Sequence, residues 1–339
     1  SALVELRVLD IRRNEFHKFP DPVQYFSKLT KLSAQFNKLI SISSVLGECK
    51  KLTELWVQGN RLTSVHPLIG DLDCLTKLNL GANRISSIPP QVGSCVALRE
   101  LGLYGNGLAR IPPALKKLKR LKRLMVNDNA LIQVPEIIMF LRDLRELVLG
   151  RNDCTEVHEN VCKLHTLVSL NFQSNRVERL PPNIGHLTNL TELHADQNVL
   201  VEVVQEIGGL TALKLMNLSG NRLKALPGEL GRLTNLTKLS LDSNGLESLP
   251  EDFGGMKSLQ RLWLDKNVLK TLPESVGELT SLVELHVDNN ELHALCDTFS
   301  CLTNLLELFA HNNHFGLSYA GPDGERCPPL GVPLGIFEI

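Results

Sequence analysis

No apolar run in this 339-residue chain approaches the roughly 20 residues that a membrane-spanning helix needs, so membrane insertion is not expected. Neither sign of charge is in excess. With 36 Lys and Arg against 37 Asp and Glu, the formal net charge is −1, which offers no general attraction to nucleic acid or an anionic surface. No G-x-x-x-x-G-K-[ST] phosphate loop, H-E-x-x-H motif or G-x-S-x-G elbow is present, and neither an enzyme activity nor a cofactor is expected. There is no signal-peptide pattern, and the first residue is Ser1 rather than Met. Aromatic residues make up only 5 % of the chain, with two tryptophans, so their placement carries information. Cysteines are scattered: Cys49, Cys74, Cys95, Cys154, Cys162, Cys296, Cys301 and Cys327. That pattern reads as reduced thiols in a cytosolic protein rather than as a disulfide framework.

What the sequence does have is a period. Asparagine recurs every 23 residues from Asn14 to Asn313, through Asn83, Asn106, Asn129, Asn152, Asn175, Asn198, Asn221, Asn244, Asn267 and Asn290, with no step missed. Around each one runs L-x-x-L-x-L-x-x-N-x-L, as in Leu75, Leu78, Leu80, Asn83 and Ile85. Leu78 and Leu80 alternate with Lys77, Asn79 and Gly81, the signature of a short strand with one buried face. One repeat cannot bury its own leucines, whereas a stack of repeats can. An asparagine side chain offers both a donor and an acceptor, so these residues are expected to satisfy backbone groups of the turn. They form a structural ladder and not an active site. Six residues after many of these asparagines comes Pro (Pro20, Pro89, Pro112, Pro135, Pro181, Pro227, Pro250, Pro273), expected to end strand pairing and start the return path. His66, His158 and Val204 break that pattern.

Over residues 3–313 the sequence resembles the leucine-rich-repeat family. The L-P-x-x-I/L-G-x-L subtype, as in "NIGHLTNL" and "ELGRLTNL", is similar to cytosolic members: the Ras-pathway scaffolds of the SHOC/Sur-eight kind, their plant Ras-group relatives, and the repeat domains of Roco and LAP proteins. The resemblance implies an α/β solenoid, or horseshoe. A parallel sheet would line its concave face, and short helices or 3-10 turns its convex face. Residues 1–313 then form about fourteen repeats, entered in mid-repeat at Leu3, so that the parent protein is expected to continue upstream. Residues 314–339, rich in Gly and Pro, form a C-terminal cap or the start of a linker.

Three places invite chemistry. Cys154, His158, Cys162 and His165 have near-helical spacing that zinc would accept. Cys154, however, fills a leucine slot and belongs in the core, as do Cys49 and Cys95, so no metal is expected. The run Lys116 to Arg123 is read as a solvated surface held in register by Leu118 and Leu121. The third place is the sheet face. The slot four before each asparagine is expected to be exposed, and it holds both tryptophans, Trp56 and Trp263, together with Met125, Val148, His286 and Phe309. Tyr104 shares that face. The slot two before the asparagine carries Asp196, Asp242, Asp265 and Asp288, interrupted by Ser219. Consecutive aspartates repel one another, and a basic partner would relieve them, although Lys238, Arg261 and Lys266 are near enough to neutralise them locally.

Exposed aromatics anchor interfaces. The expected function is therefore non-catalytic protein binding by a cytosolic signalling scaffold, through two patches. One comprises Trp56, Tyr104, Arg123, Met125 and Val148, and the other Asp242, Trp263, Asp265, His286, Asp288 and Phe309. The resemblance implies one or more protein partners of the small-GTPase, phosphatase or kinase-subunit kind. Two alternatives stay open. One is the recognition domain of a larger enzyme, a Roco-type kinase or a ubiquitin ligase. The other is an extracellular or surface receptor, in which Asn189, Asn217 and Asn235 would be glycosylation acceptors.

Overall fold

The computed structural model of the protein describes residues 4–19, 25–42, 44–316, 319–320 and 326–327. Leu3, Pro20 and most of the segment expected to form a cap lie outside them. The chain divides into two compact units, Ser1–Asn175 and Arg176–Ile339.

In the first unit eight three-residue strands, from Val8–Asp10 to Ser169–Asn171, pair in parallel and in sequence order. In the second, six strands from Glu192–His194 to Glu307–Phe309 do the same. Each residue pairs with the one 23 positions on, as in Leu55 with Leu78 and Leu262 with Leu285. The central residue of a strand points inward, and Leu55, Leu78, Leu101, Leu239, Leu262 and Leu285 are fully buried. Its two neighbours point to the open face of the sheet, so the period-2 pattern of the sequence becomes a two-sided sheet.

Behind the sheet the return paths close as five-residue 3-10 turns, from Ser44–Glu48 to Asp297–Cys301. These turns pack so closely that a side chain at Gly231 or Gly254 would strike the carbonyl of Asp252 or Ser275 in the next tier. That contact is the reason for glycine after the apolar residue of these turns, as in Leu230-Gly231 and Phe253-Gly254. Proline starts many of the turns, as Pro89 does before Pro90–Ser94. Where it is missing the turn still forms. The Nδ1 atoms of His66 and His158 accept from the amides of Leu68 and Asn160 at 3.2 and 3.1 Å, capping the turn in proline's place. Among the described residues no helix is long and apolar enough to cross a membrane. Each unit is thus a solenoid with a parallel sheet on one side and short 3-10 turns on the other.

The asparagines join one tier to the one before. The Asn83 Oδ1 accepts from the amide of Leu62 at 3.0 Å, while its Nδ2 donates to the carbonyls of Val57, Leu80 and Gly81 at 2.9–3.1 Å. Asn106, Asn129, Asn152 and Asn175 repeat the arrangement in the first unit. Asn221, Asn244, Asn267 and Asn290 repeat it in the second, and Asn198 accepts there from Val177. Just before each asparagine the backbone is left-handed, with φ between 48° and 69°. Eleven of those slots hold residues other than glycine, such as Ala82 and Lys266, and Gly59, Gly105 and Gly220 fill the rest. An L-residue there costs about 1–2 kcal/mol, which the bonds around the turn must outweigh.

Candidate functional site

Side chains six, four and two residues before each asparagine share the open face of the sheet. Strands there lie about 4.8 Å apart, so large side chains lean on the next tier. The slot expected to be exposed is for that reason mostly half-buried: Trp56, Met125, Val148, Trp263 and His286 are all intermediate, and Ser33 and Asn79 are buried. Phe309 stays exposed at 41 %.

The first unit's face is self-neutralising. Glu54 sits between Lys31 and Lys77 at 3.2 and 3.1 Å, and it also accepts from the Trp56 Nε1 at 3.1 Å. Burial works against the Glu54 carboxylate, but the hydrogen bonds from Trp56, Lys77 and Lys31 outweigh it and hold its pKa below the usual value. The Lys77 ammonium lies 6.0 Å from the Trp56 ring centroid, and Arg123 pairs with Glu146 at 2.6 Å. Tyr104 lies over Gly81, where any side chain would strike its ring. The first expected patch therefore splits. Met125 stands beside Val148 in register. Trp56, by contrast, pairs with Asn79 and Asn79 with Gly102, so a whole tier intervenes between Trp56 and the strand that leads to Tyr104.

On the second unit the expected patch is contiguous. Trp263, His286 and Phe309 occupy adjoining tiers and stack, with ring centroids 6.1 and 4.3 Å apart and interplanar angles of 30° and 14°. Beside them run Asp242, Asp265 and Asp288. Burial first, and then the charges of Asp242 and Asp288, push the Asp265 carboxyl up, against a smaller opposing effect of Lys266 at 3.7 Å. Arg261 does not neutralise this ladder as expected. It turns to Glu284 at 3.1 Å, because Glu284 stands in register beside it. Asp196 has one buried carboxylate oxygen without a hydrogen-bond partner, and burial pushes its carboxyl up as well.

Glu284 and His311 escaped the sequence reading. The His286 Nε2 lies 2.9 Å from a Glu284 oxygen, and the His311 Nε2 lies 3.5 Å from Asp288. The signal was available, since Glu284 and His286 are two apart on one strand and so share a face.

The other candidates fall to routine roles. Cys154 and Cys162 are 1 % and 2 % exposed. Burial above all, with nearby carboxylates adding, pushes their thiols up to about 11 and about 12. His158 is occupied in capping its turn. In the basic run Lys116, Lys117, Lys119 and Arg120 are exposed, as expected of a solvated surface. An apolar groove of about 850 Å³ lies off the sheet face of the first unit, lined by Ile88, Ile111, Ile132 and Pro135.

Comparison with known proteins agrees with this geometry. Three models match: a leucine-rich repeat region over residues 136–245, a leucine-rich repeat over 234–292, and a pair of leucine-rich repeats over 50–93. A leucine-rich-repeat protein of Leptospira interrogans is 31 % identical, with a TM-score of 0.78 over 95 % of this chain and 87 % of that one. An internalin of Listeria monocytogenes, 20 % identical over 90 % of this chain and 87 % of its own, shares the fold with a TM-score of 0.79. A plant peptide hormone receptor, solved in complex with RGF2, is 26 % identical with a TM-score of 0.64, and the match covers 92 % of this chain and 60 % of the receptor chain. No curated protein matches.

Proposed function

The chain belongs to the leucine-rich-repeat family, and from that premise we propose that it is a non-catalytic protein-binding module whose principal anchor is the open face of the second unit. A leucine-rich-repeat fold is a protein-interaction module. The observation that carries the choice of face is the pairing of an aromatic stack, Trp263–His286–Phe309, with successive like-charged carboxylates at Asp242, Asp265 and Asp288, whose effect on Asp265 is offset only in part by Lys266. Large half-buried aromatics supply contact area at little entropic cost. The carboxylates, held close by the register, are relieved by an approaching cation. The partner is therefore a protein segment bearing Lys or Arg beside an apolar side chain. Trp56, Tyr104, Arg123, Met125 and Val148 on the first unit form a secondary contact, their charges already paired.

The setting proposed is the cytosol, in a signalling scaffold or adaptor that binds small GTPases or phosphatase or kinase subunits. Five buried cysteines support it: they act as small core hydrophobes with raised thiol pKa values, as for Cys95 at about 12 from burial and two nearby aspartates. A second reading, extracellular or surface recognition, is favoured by the plant peptide hormone receptor. Alkylation in denaturant without reductant separates the two. The cytosolic reading expects eight modified cysteines, and intact disulfides would favour the surface reading.

The binding face is tested with the intact chain as bait. After mass spectrometry has identified a partner, its affinity is measured at low and high salt for the parent, Trp263→Ala and the pair Lys116→Glu with Lys117→Glu. The expected outcome is loss of affinity with salt and with Trp263→Ala. If Trp263→Ala binds like the parent while the lysine pair abolishes binding, the partner sits on the 3-10-turn side and the assignment is wrong.

A further inference from the structure

His286 turns its two ring nitrogens to different carboxylates. Its Nε2 lies 2.9 Å from Glu284 Oε1. An ionised carboxylate only accepts, so the Nε2 carries the proton. In the neutral ring the Nδ1 then holds a lone pair, and it faces Asp288 Oδ1 at 3.9 Å. That separation is too long for a hydrogen bond. It is close to the roughly 3.4 Å between two ligands sharing a tetrahedral ion at zinc bond lengths. Asp265, from the preceding tier, brings a third donor: the three ligand atoms lie within 4.8 Å of one another.

We propose that Asp265, His286 and Asp288 form a binding site for a zinc-class divalent ion on the open face of the second unit. An acidic cluster alone would not carry this inference; the surroundings of the imidazole do. A ligating histidine characteristically donates its other ring N–H to a carboxylate, and Glu284 takes that place, itself held by Arg261 at 3.1 Å. Asp288 is 8 % exposed, and its second oxygen accepts from the Asn289 Nδ2 at 2.6 Å. The His286 ring is fixed between those of Trp263 and Phe309. His311, 3.5 Å from Asp288 Oδ2, lies outside the group of three, so water or a partner's side chain would complete the shell. One imidazole with two carboxylates suits zinc better than magnesium or calcium, which take oxygen ligands. The cation would offset the mutual repulsion of the two aspartates.

The fold provides its own control. The strand at Glu192–His194 carries the same succession, Glu192, His194 and Asp196, yet the position 23 residues before Asp196 holds Gln173 where the cluster has Asp265. Among the described residues only Asp265, His286 and Asp288 gather three donors.

The test uses the intact chain and zinc chloride alone, by calorimetric titration, with cobalt(II) absorption as a spectroscopic check of imidazole ligation. The expected result is one ion per chain, released by EDTA and not displaced by excess magnesium. Affinity should fall at least tenfold in His286→Ala and in Asp288→Asn, about tenfold in Glu284→Gln, and not at all in His194→Ala. If the parent takes up no ion, or if His286→Ala and Asp288→Asn bind as the parent does, the proposal is overturned. Should His286→Ala fail to fold, Asp265→Asn decides in the same way. Zinc uptake involves no protein partner, so its failure is distinct from failure of the partner-binding reading, which is measured in EDTA.

Discussion

On the first unit's face Glu54 stands between two lysines, at 3.2 and 3.1 Å. On the second, Asp265 stands between two aspartates. The backbone beneath is the same in both places: a short strand and an asparagine in every period, with a left-handed residue just before the asparagine. What differs is the order of charges from tier to tier. Where opposite signs alternate along a ladder, neighbours neutralise each other and the face is closed electrostatically. Where one sign repeats, the field stays open for something from outside. The lesson is that the frame and the recognition surface are specified independently, the first by position within a repeat and the second by comparison between repeats.

The comparison breaks at its root if the frame is not shared. Asn152→Ala in the first unit and Asn267→Ala in the second remove near-identical sets of bonds, at 8 % and 6 % exposure. Each should destabilise by about 3 kcal/mol, since a buried amide and carbonyls lose their partners. Denaturant unfolding is the measurement, and losses differing several-fold would show that the two frames are not equivalent.

Next in size is the contrast of the two tryptophans. Trp263→Ala should weaken partner binding by about 2 kcal/mol or more, roughly thirtyfold, while Trp56→Ala should cost less than about 0.5 kcal/mol, because its face is already paired. Equal losses would make both faces anchors, and a larger loss at Trp56 would reverse the assignment.

The smallest effect sharpens the electrostatic contrast. Asp265→Asn should raise the melting temperature near neutral pH by about 1 °C, the size of one cross-strand like-charge contact. Glu54→Gln should lower it by a similar amount. The signs follow from proton linkage. The Asp265 carboxyl is raised, so between its unfolded and folded pKa values the folded state binds more protons, and stability grows as pH falls. Glu54 is lowered, so its contribution is present above its unfolded pKa and is lost as pH falls through its folded one. Both substitutions should therefore fade towards acid pH, from opposite directions. Melting curves from neutral to pH 4 decide it, and shifts of the same sign would refute the contrast.

Much of the fold was legible in the sequence because its cause is local and repeated. Leu78 and Asn83 say the same thing that Leu262 and Asn267 say. The left-handed slot was not legible, because Arg13, Phe36, Ala82 and Lys266 share no chemistry; the constraint comes from the bonds on either side. Half-burial of the tryptophan slot was missed for a different reason: how much of Trp263 is covered depends on His286, which belongs to the next tier. The choice of Arg261 between Glu284 and the aspartates is likewise settled by side-chain reach across tiers, which spacing alone does not encode. The second patch was readable as a group because its residues fall in successive tiers. In the first, the strand of Asn79 lies between that of Trp56 and the one that leads to Tyr104, so its aromatics do not fall in successive tiers.

The asparagine bonds have a consequence for how such a chain can change. Each spans a fixed interval, from a side chain to the amide 21 residues back and the carbonyl 26 back. A shift by one whole period carries every bond onto its equivalent. Within a unit, loss or gain of a complete period therefore leaves the frame intact, whereas a deletion one residue short of it puts a wrong side chain in every inward slot until the register is recovered. The sheet face follows another rule. Removing the period from Arg261 to Val283 would set Ser240 beside His286 and leave the backbone content, yet it would erase Trp263, Asp265 and the neighbours they serve. Whole-period length changes in this molecule spare the frame and alter the face, so its binding specificity can drift by whole-repeat editing while its fold stays the same.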